Sequence, residues 1–192
     1  MLIETTTDKR YGLMLSGGID SAVLFYLLVQ SNPTINLQPF TIAKTDGAAL
    51  YADPVIDHMN RKFGLSIPKT ILVGDPTVYH RLQSTTAVKE IFERYPVDHL
   101  YIGLNTNPPE LADHPSAPIR SKRSLDPRII FPFVDLYKDR ILEIMYAEGQ
   151  EDLIDITHTC TEQQYGRCGV CWQCQERIWA FRQLNKTDTG VL

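Results

Sequence analysis

The sequence lacks the long apolar run that a membrane span needs. Its start, MLIETTTDKR, carries charges and threonines where a secretory signal would need an apolar stretch. An excess of positive charge is absent too, because 19 basic residues stand against 23 acidic ones and the formal net charge is -4. Without such an excess, no global field draws the protein to a polyanion. We therefore expect a cytoplasmic protein that binds neither a membrane nor a nucleic acid.

Cysteine is missing everywhere except in one short segment near the end of the sequence. Cys160, Cys168, Cys171 and Cys174 follow the spacing C-x7-C-x2-C-x2-C. Four thiolates at this spacing can converge on one ion as a tetrahedral site, so a disulfide framework is not expected. We predict a structural Zn²⁺ ion on these four ligands. An iron–sulfur cluster or a redox pair stays open, because thiolate ligands alone do not select the metal.

Strand and helix patterns alternate along most of the chain. The short apolar runs that predict strands lie at residues 11–15, 37–43, 69–73, 99–102 and 129–134. The segments with apolar residues at helical spacing lie at 20–28, 53–63, 77–94 and 138–147. Asp53 and Pro54 are expected to begin the second of these helices. The alternation predicts an α/β fold, a three-layer sandwich with a parallel central sheet.

The length of 192 residues, 43% of them hydrophobic, is enough for one sizeable core. We expect an α/β domain over residues 1–157 and a cysteine-bearing zinc knuckle over 158–192 that packs on it. Between residues 103 and 128 the chain holds several prolines without a steady period, over a stretch longer than an ordinary connection. We expect this stretch to be a lid, a binding loop or a disordered region.

A candidate phosphate-binding loop lies in YGLMLSGGIDSAVLF, where two glycines separate a predicted buried strand from a predicted helix. The first backbone amides of a helix lack internal partners and lie at the positive end of its dipole, so an anion fits there. Glycine allows close approach to phosphate oxygens, the serines can donate hydrogen bonds, and Asp20 can cap the helix or hold Mg²⁺. A plain glycine turn is the alternative. The residues expected to bind the nucleotide are Leu15, Ser16, Gly17, Gly18, Ile19, Asp20 and Ser21.

The segment SGGIDS resembles the pyrophosphate loop, Ser-Gly-Gly-x-Asp-Ser, of the N-type ATP pyrophosphatases, the PP-loop superfamily. Members of that superfamily adenylate a carboxylate or carbonyl oxygen, expel pyrophosphate and let nitrogen or sulfur attack. The resemblance implies a fold of the adenine nucleotide α-hydrolase (HUP) type and a requirement for ATP with Mg²⁺. It also implies catalytic roles for Asp20 and Ser21.

The loop and the segment CTEQQYGRCGVCWQCQERIWAF together resemble the 7-cyano-7-deazaguanine synthase family, which makes the nitrile precursor of queuosine. Arg177, Ala180 and Phe181 match an Arg and an Ala-Phe pair of that family. The resemblance implies that 7-carboxy-7-deazaguanine is adenylated, attacked by ammonia to give an amide, and then activated again and dehydrated. The segment AKTDGAALYAD departs from the family pattern. A divergent or reduced member that acts on another carboxylate is therefore the alternative.

Three further residues are assigned by their expected place beside the nucleotide. Lys138, at a predicted helix start, is expected to be catalytic by stabilising the departing pyrophosphate. Arg123, in a cationic part of the proline-containing stretch, is expected to contact phosphate. Ala43 follows the second strand and is expected to meet the adenine through backbone groups. The alternatives are that Lys138 is an ordinary surface lysine and that the stretch around Arg123 is a solvated basic loop. His158 lies near the cysteines in sequence and is a candidate to support the metal ligands by hydrogen bonding.

The sequence therefore favours an ATP-dependent carbon–nitrogen ligase whose partners are a small carboxylate and ammonia. An ATP-dependent tRNA sulfur-insertion enzyme is a rival, in which some cysteines would hold an iron–sulfur cluster or carry sulfur. A catalytically silent nucleotide-binding zinc protein is the second rival. A homodimer also stays open, because Trp172 and Trp179 suit either core or dimer contacts.

Overall fold

The computed structural model describes residues 3–42, 48–120, 124 and 126–190, without the side chains of residues 48, 80 and 81. Within these residues, one sheet of parallel strands has the order β3-β2-β1-β4-β5. Its strands are β1 (Arg10–Met14), β2 (Asn36–Ile42), β3 (Ile71–Val73), β4 (His99–Ile102) and β5 (Ile129–Ile130). The helices are α1 (Ile19–Ser31), α2 (Ala48–Phe63), α3 (His80–Arg94), α4 (Lys138–Ala147), α5 (Glu151–Asp155) and α6 (Trp172–Gln183), with a short 3-10 helix at Pro109–Leu111.

Successive side chains of each strand point to opposite faces of the sheet, and each face has its own apolar core. On one face, Leu13 of β1 and Tyr101 of β4 pack with α1, α2, α4, α5 and α6. On the other face, Met14 and Leu100 pack with Ala87 of α3. The α/β three-layer sandwich with a parallel central sheet is therefore confirmed.

The predicted start of the second helix is wrong. Helix α2 begins by Ala48, so that Asp53 and Pro54 lie inside it. The buried face of α2 already includes Ala52, one turn before Ile56. The Asp53 carboxylate does not begin the helix; it accepts hydrogen bonds from the amide of Thr70 at 3.0 Å and from its hydroxyl at 2.9 Å. Asp53 thus connects the middle of α2 to the chain just before β3.

The last predicted strand is shorter than expected. Strand β5 contains only Ile129 and Ile130, because the chain then turns. The amide of Val134 donates to the carbonyl of Phe131, and the amide of Leu136 donates to that of Phe133. These turns direct the chain into α4, which begins at Lys138 as predicted.

The strand order identifies the edge of the sheet where a ligand is expected. From β1 the chain builds outward through β2 and β3, and it then returns to place β4 on the other side of β1. Open α/β sheets bind ligands at the carboxyl ends of the strands beside such a reversal. The N-terminus of α1 lies at this position. In the described part of the chain, no helix has both the length and the apolar character needed to cross a membrane.

Candidate nucleotide and acceptor site

The loop between β1 and α1, Leu15–Ser21 including the first turn of the helix, has a backbone that requires glycine at one position. Gly17 has φ +75, and a Cβ atom there would lie 2.4 Å from Cβ of Tyr51. Helix α2 therefore packs directly against the loop. Gly18 is the N-cap of α1 and has no side chain to cap the helix. The first backbone amides of α1 can therefore bind an external partner.

The two serines brace this phosphate loop from within. The amide of Ser16 donates to Oγ of Ser21 at 3.2 Å, and the Ser21 hydroxyl donates to the carbonyl of Gly18 at 3.1 Å. The amide of Gly18 lies 3.3 Å from Oγ of Ser16. Within the described residues, the amides of Gly17, Ile19 and Asp20 have no hydrogen-bond acceptor. These amides can receive the oxygens of an anion.

Two cavities meet at the phosphate loop. The sheet cavity, of about 210 Å³, lies on the α3 side of the strand ends, and its apolar wall includes Phe40, Val88 and Ile102. The cysteine-side cavity, of about 190 Å³, lies between the loop and the segment that carries the cysteines. Ser16 and Asp20 line both cavities. A molecule in one cavity can therefore meet a molecule in the other beside the phosphate loop.

A buried charge network closes one side of the cysteine-side cavity. Lys138 is only 2% exposed, and its ammonium lies 2.8 Å from Oδ2 of Asp20 and 2.9 Å from Oε2 of Glu176. The Glu176 carboxylate is fully buried, and it also accepts hydrogen bonds from Arg120 at 2.7 and 3.2 Å. The amide side chain of Asn105 donates a further bond to it at 3.0 Å. Glu176 thus holds two cations beside the phosphate loop.

The network shifts the pKa values of its three central groups in different directions. Burial raises the pKa of Glu176, but Lys138 and Arg120 outweigh burial and lower it to about 2. Burial also lowers the pKa of Lys138, yet the carboxylates of Asp20 and Glu176 outweigh it and raise that pKa above its ordinary value. For Asp20, burial raises the pKa, and Lys138 offsets this only in part. The network therefore favours the charged forms of Lys138 and Glu176, whereas burial favours the neutral form of Asp20.

Asp20 fits the role of a magnesium ligand. Its Oδ2 pairs with Lys138, but its Oδ1 is buried and has no hydrogen-bond partner within the described residues. An unpartnered buried carboxylate oxygen is costly in the free protein. It is also a hard oxygen donor of the kind Mg²⁺ prefers, and it lies at the junction of the two cavities.

The four cysteines form one cluster. Their sulfur atoms all lie within 4.8 Å of one another, so the set can hold a metal ion. The amide of Cys171 donates to Sγ of Cys168 at 3.3 Å, and that of Cys168 donates to Sγ of Cys160 at 3.5 Å. Burial raises the pKa of Cys168, but the amides of Cys171 and Val170 lower it to about 7. Such amide–sulfur bonds stabilise thiolates, which are the form that binds a metal.

His158 connects the cysteine segment to the phosphate loop. Its backbone amide donates to the carbonyl of Gly17 at 3.0 Å, and its ring stacks on Tyr51 with centroids 4.1 Å apart. Nε2 of the same ring lies 2.8 Å from the carbonyl of Gly166, in the turn before Cys168. The prediction that His158 supports the cysteine site remains untested, but its contacts tie that segment to the loop.

The structure brings most of the predicted site residues together. The phosphate loop, Asp20, Ser21 and Lys138 surround the junction of the cavities, and the cysteine cluster lies beyond one of them. Ala43 and Arg123 lie outside the described residues, so their predicted contacts stay predictions. Whether any of these residues acts as predicted is likewise untested.

Sequence reasoning missed Glu176 and chose Arg123 rather than Arg120. One signal could have found Glu176, because it follows Trp172 by one helical turn and precedes Ala180 by another, on the face of α6 that is buried. A carboxylate in phase with apolar residues is buried and needs a cation. No comparable local signal marks Arg120, whose partner is far away in sequence.

Comparisons with known proteins agree with this geometry. The asparagine synthase family model matches residues 3–66, which contain β1, the phosphate loop, α1 and β2. Over the matched region the chain is therefore similar to the PP-loop superfamily of N-type ATP pyrophosphatases. It is 23% identical to a 7-cyano-7-deazaguanine synthase of Methanoculleus marisnigri, over 94% of this chain and 97% of that protein.

Two solved structures are also similar to this chain. One is an NMN synthetase from Francisella tularensis, with a TM-score of 0.51, 13% identity, and coverage of 93% of this chain and 78% of that one. The other is a U34-tRNA thiolase from Methanococcus maripaludis with its 4Fe–4S cluster, with a TM-score of 0.46 and 15% identity. The match covers 94% of this chain and 66% of the thiolase, so the chain spans just under two thirds of it.

Proposed function

We propose that this protein is an ATP-dependent carbon–nitrogen ligase that converts 7-carboxy-7-deazaguanine to 7-cyano-7-deazaguanine. The observation that carries the proposal is the meeting of two cavities at Ser16 and Asp20. Adenylation requires the α-phosphate of ATP and the oxygen of an acid to meet in line. A nucleoside in the sheet cavity and an acid in the cysteine-side cavity would satisfy that requirement. The similarity to a 7-cyano-7-deazaguanine synthase supports this choice of acid.

The reaction consists of two successive adenylations, first of the carboxylate and then of the amide formed from it. A carboxylate oxygen of the acid attacks the α-phosphorus of ATP, and the bond to pyrophosphate breaks. Ammonia then attacks the acyl carbon, a proton and AMP leave, and an amide forms. The amide oxygen attacks a second ATP with release of pyrophosphate, and loss of AMP and both N–H protons leaves the nitrile. No covalent bond to the protein is needed.

The protein would contribute position and charge to these steps. The free amides of Gly17, Ile19 and Asp20 would bind phosphate oxygens, and Lys138 would stabilise the departing pyrophosphate. Lys138 keeps its proton because Glu176 is ionised beside it. Bound Mg²⁺, held by Asp20, would neutralise charge on the pyrophosphate. The arrangement would raise the rate by stabilising charge that develops at the leaving group.

The cysteine cluster would hold a structural Zn²⁺ ion through Cys160, Cys168, Cys171 and Cys174. Cys160, Cys171 and Cys174 are buried, and all four sulfurs are within reach of one ion. A closed site of four thiolates leaves no position open for chemistry. One observation favours the rival, a sulfur-inserting enzyme: Cys160 also lines the cysteine-side cavity. Metal analysis separates the two, because zinc without labile sulfide is expected here and an iron–sulfur cluster would support the rival.

Product analysis tests the proposed reaction. The protein is incubated with 7-carboxy-7-deazaguanine, ATP, Mg²⁺ and ammonium, and the products are followed by mass spectrometry together with pyrophosphate release. We expect the nitrile, with two pyrophosphates for each product. An amide alone would restrict the function to the first half of the reaction. Binding of ATP without any turnover would instead support a silent nucleotide-binding protein.

Asp20→Ala supplies the internal control for that assay. It removes the carboxylate at the cavity junction, so pyrophosphate release should be abolished while the protein stays folded. Ser21→Ala is expected to do the same, because its hydroxyl braces the phosphate loop. Unchanged turnover in both variants would refute the assigned roles.

A further inference from the structure

The cysteine-side cavity has two chemically different walls. The wall formed by the phosphate loop and the buried network is charged, and it contains Asp20, Arg120, Lys138 and Glu176. The opposite wall comes from the chain around the cysteines and is polar, with three side chains that carry no charge. The uncharged side chains are Thr159, Thr161 and Gln173, and His158 and Cys160 lie beside them. An acid activated at the phosphate loop would therefore present the rest of its molecule to this second wall.

Gln173 has hydrogen-bond donors to spare. Its Oε1 accepts a hydrogen bond from the hydroxyl of Thr161 at 3.1 Å, which fixes the orientation of the amide. Within the described residues, Nε2 of Gln173 makes no hydrogen bond. An amide nitrogen carries two N–H groups. Both are therefore available to a ligand in the cavity.

Thr159 is left as a donor for a different reason. Its Oγ accepts a hydrogen bond from the guanidinium of Arg177 at 3.0 Å. A guanidinium has no acceptor, so Thr159 cannot donate to it. No other hydrogen bond engages this hydroxyl in the described part of the chain. Its hydrogen is therefore also available on the cavity side.

The size and the charge of the cavity restrict what it can hold. A volume of about 190 Å³ is below the ~300–1,000 Å³ of pockets for drug-sized ligands. At one end, N–H groups of Lys138 and Arg120 can donate to a carboxylate in addition to their bonds with Asp20 and Glu176. At the other end, the uncharged donors favour an uncharged oxygen. A ring carbonyl is an oxygen of that kind. The cavity thus suits a small acid that also carries a carbonyl oxygen, as 7-carboxy-7-deazaguanine does.

We propose that Gln173 and Thr159 are specificity-determining residues that donate hydrogen bonds to a ring carbonyl oxygen of the acceptor acid. The inference rests on the proposed function, because it takes the cysteine-side cavity as the acceptor site. It adds a substrate class that the phosphate loop cannot define. The loop recognises ATP, whereas these two residues distinguish a carbonyl from a group that can only donate. An amino group at the same ring position would place its own N–H groups against the donors of Gln173 and Thr159, so no hydrogen bond could form between them.

A ligand-side experiment tests this with the unchanged protein. The zinc-loaded protein, saturated with a non-hydrolysable ATP analogue, is titrated calorimetrically with 7-carboxy-7-deazaguanine. The second ligand is the otherwise identical acid in which an amino group replaces the ring carbonyl. We expect the amino compound to bind at least about tenfold more weakly, as expected for a buried hydrogen bond lost to a donor–donor contact. Equal affinity for the two acids would overturn the inference.

A protein-side experiment uses Gln173→Glu, which replaces two donors by a carboxylate that only accepts. The KM for the carbonyl acid should rise at least about tenfold, while the KM for ATP stays unchanged. Gln183→Glu is the matched control, because Gln183 is exposed on the last turn of the same helix. Thr159→Val is a second variant with the same expected direction. Zinc content and affinity for the ATP analogue establish that each variant is folded.

The possible outcomes separate the inference from the function on which it rests. If wild-type protein consumes the carbonyl acid and both variants keep its KM, the inference alone is overturned. If wild-type protein neither binds nor consumes that acid, the proposed function fails and the inference fails with it. A raised KM for the acid in both variants, with an unchanged KM for ATP, supports both.

Discussion

Asp188→Asn is the substitution that most directly tests how the C-terminal part of the chain is held. The guanidinium of Arg177 is 1% exposed, and it donates to the two oxygens of Asp188 at 2.7 and 2.8 Å. Arg167 also contacts this carboxylate. An asparagine at position 188 would remove the negative charge and turn an N–H donor toward guanidinium donors. The buried charge of Arg177 would then lack its counter-ion.

The expected cost follows from the burial of the pair. Removing one partner of a buried ion pair costs about 3–5 kcal/mol. Asp188 is 13% exposed, and Arg177 keeps hydrogen bonds to Thr157 and Thr159, so we expect the lower end, about 3 kcal/mol. For a chain of this length, each kcal/mol lowers Tm by about 2–4 °C. The variant should therefore unfold about 6–12 °C below the wild type.

The assay is urea unfolding at saturating zinc, followed by the fluorescence of Trp172 and Trp179. The control is Asp126→Asn, because Asp126 pairs with Arg128 at the protein surface, where solvent screens the interaction. We expect the control to unfold like the wild type. A free energy of unfolding for Asp188→Asn within about 1 kcal/mol of wild type would refute the claim that Arg177 depends on this carboxylate.

The stabilisation that Asp188 provides should also depend on pH in a defined direction. Burial raises the pKa of Asp188, but the hydrogen bonds and charge of Arg177 outweigh it and lower that pKa below its ordinary value. A lowered folded-state pKa stabilises the protein above the unfolded value of about 3.9, and this stabilisation is lost as pH falls through the folded value. The difference between wild type and Asp188→Asn should therefore be full at neutral pH and shrink below about pH 4.

Three further predictions concern the site itself. Gly17→Ala should abolish binding of an ATP analogue in calorimetry, because its Cβ would meet Tyr51, whereas Gly64→Ala, with φ +63 and nothing within 4 Å, should bind normally. Lys138→Met should lower the free energy of unfolding by about 3 kcal/mol and stop pyrophosphate release, since it leaves two buried carboxylates without their shared cation. Lys62→Met, at a partly exposed pair, should do neither. Removing the proposed Zn²⁺ with a chelator should weaken binding of the ATP analogue, because the cysteine segment is hydrogen-bonded to the phosphate loop.

The parts of the fold that could be predicted from sequence are those whose signal is local. Helix α4 begins and ends where its apolar spacing places it, at Lys138 and Ala147. The strand, glycine turn and helix around the phosphate loop are likewise determined by neighbouring residues. The start of α2 was mispredicted because Pro54 is a helix-start signal that tertiary packing overrides. Ala52 packs in the core one turn earlier, and the burial of that turn outweighs the missing amide of proline.

The parts of the site that could not be predicted depend on contacts distant in sequence. Arg120 and Glu176 are 56 residues apart, and Lys138 and Asp20 are 118 apart. Nothing local to Arg120 distinguishes it from the other cations of its stretch, because the distinguishing feature is a buried carboxylate on another element. The spacing of the cysteines, by contrast, placed their four sulfurs in one cluster correctly. A metal site built from one short segment is local, whereas a charge network is not.

The charge network also explains why one carboxylate near the phosphate loop is held less firmly than the other. Glu176 is surrounded by Arg120, Lys138 and an amide, so its negative charge is balanced before any ligand arrives. Among the described residues, Asp20 has only Lys138 as an ion-pair partner, and one of its oxygens is buried without a hydrogen-bond partner. A divalent cation arriving with the nucleotide would supply the missing partner and favour the ionised form of Asp20. Nucleotide binding should therefore tighten as pH rises through the raised pKa of Asp20, and Asp20→Asn should remove that dependence.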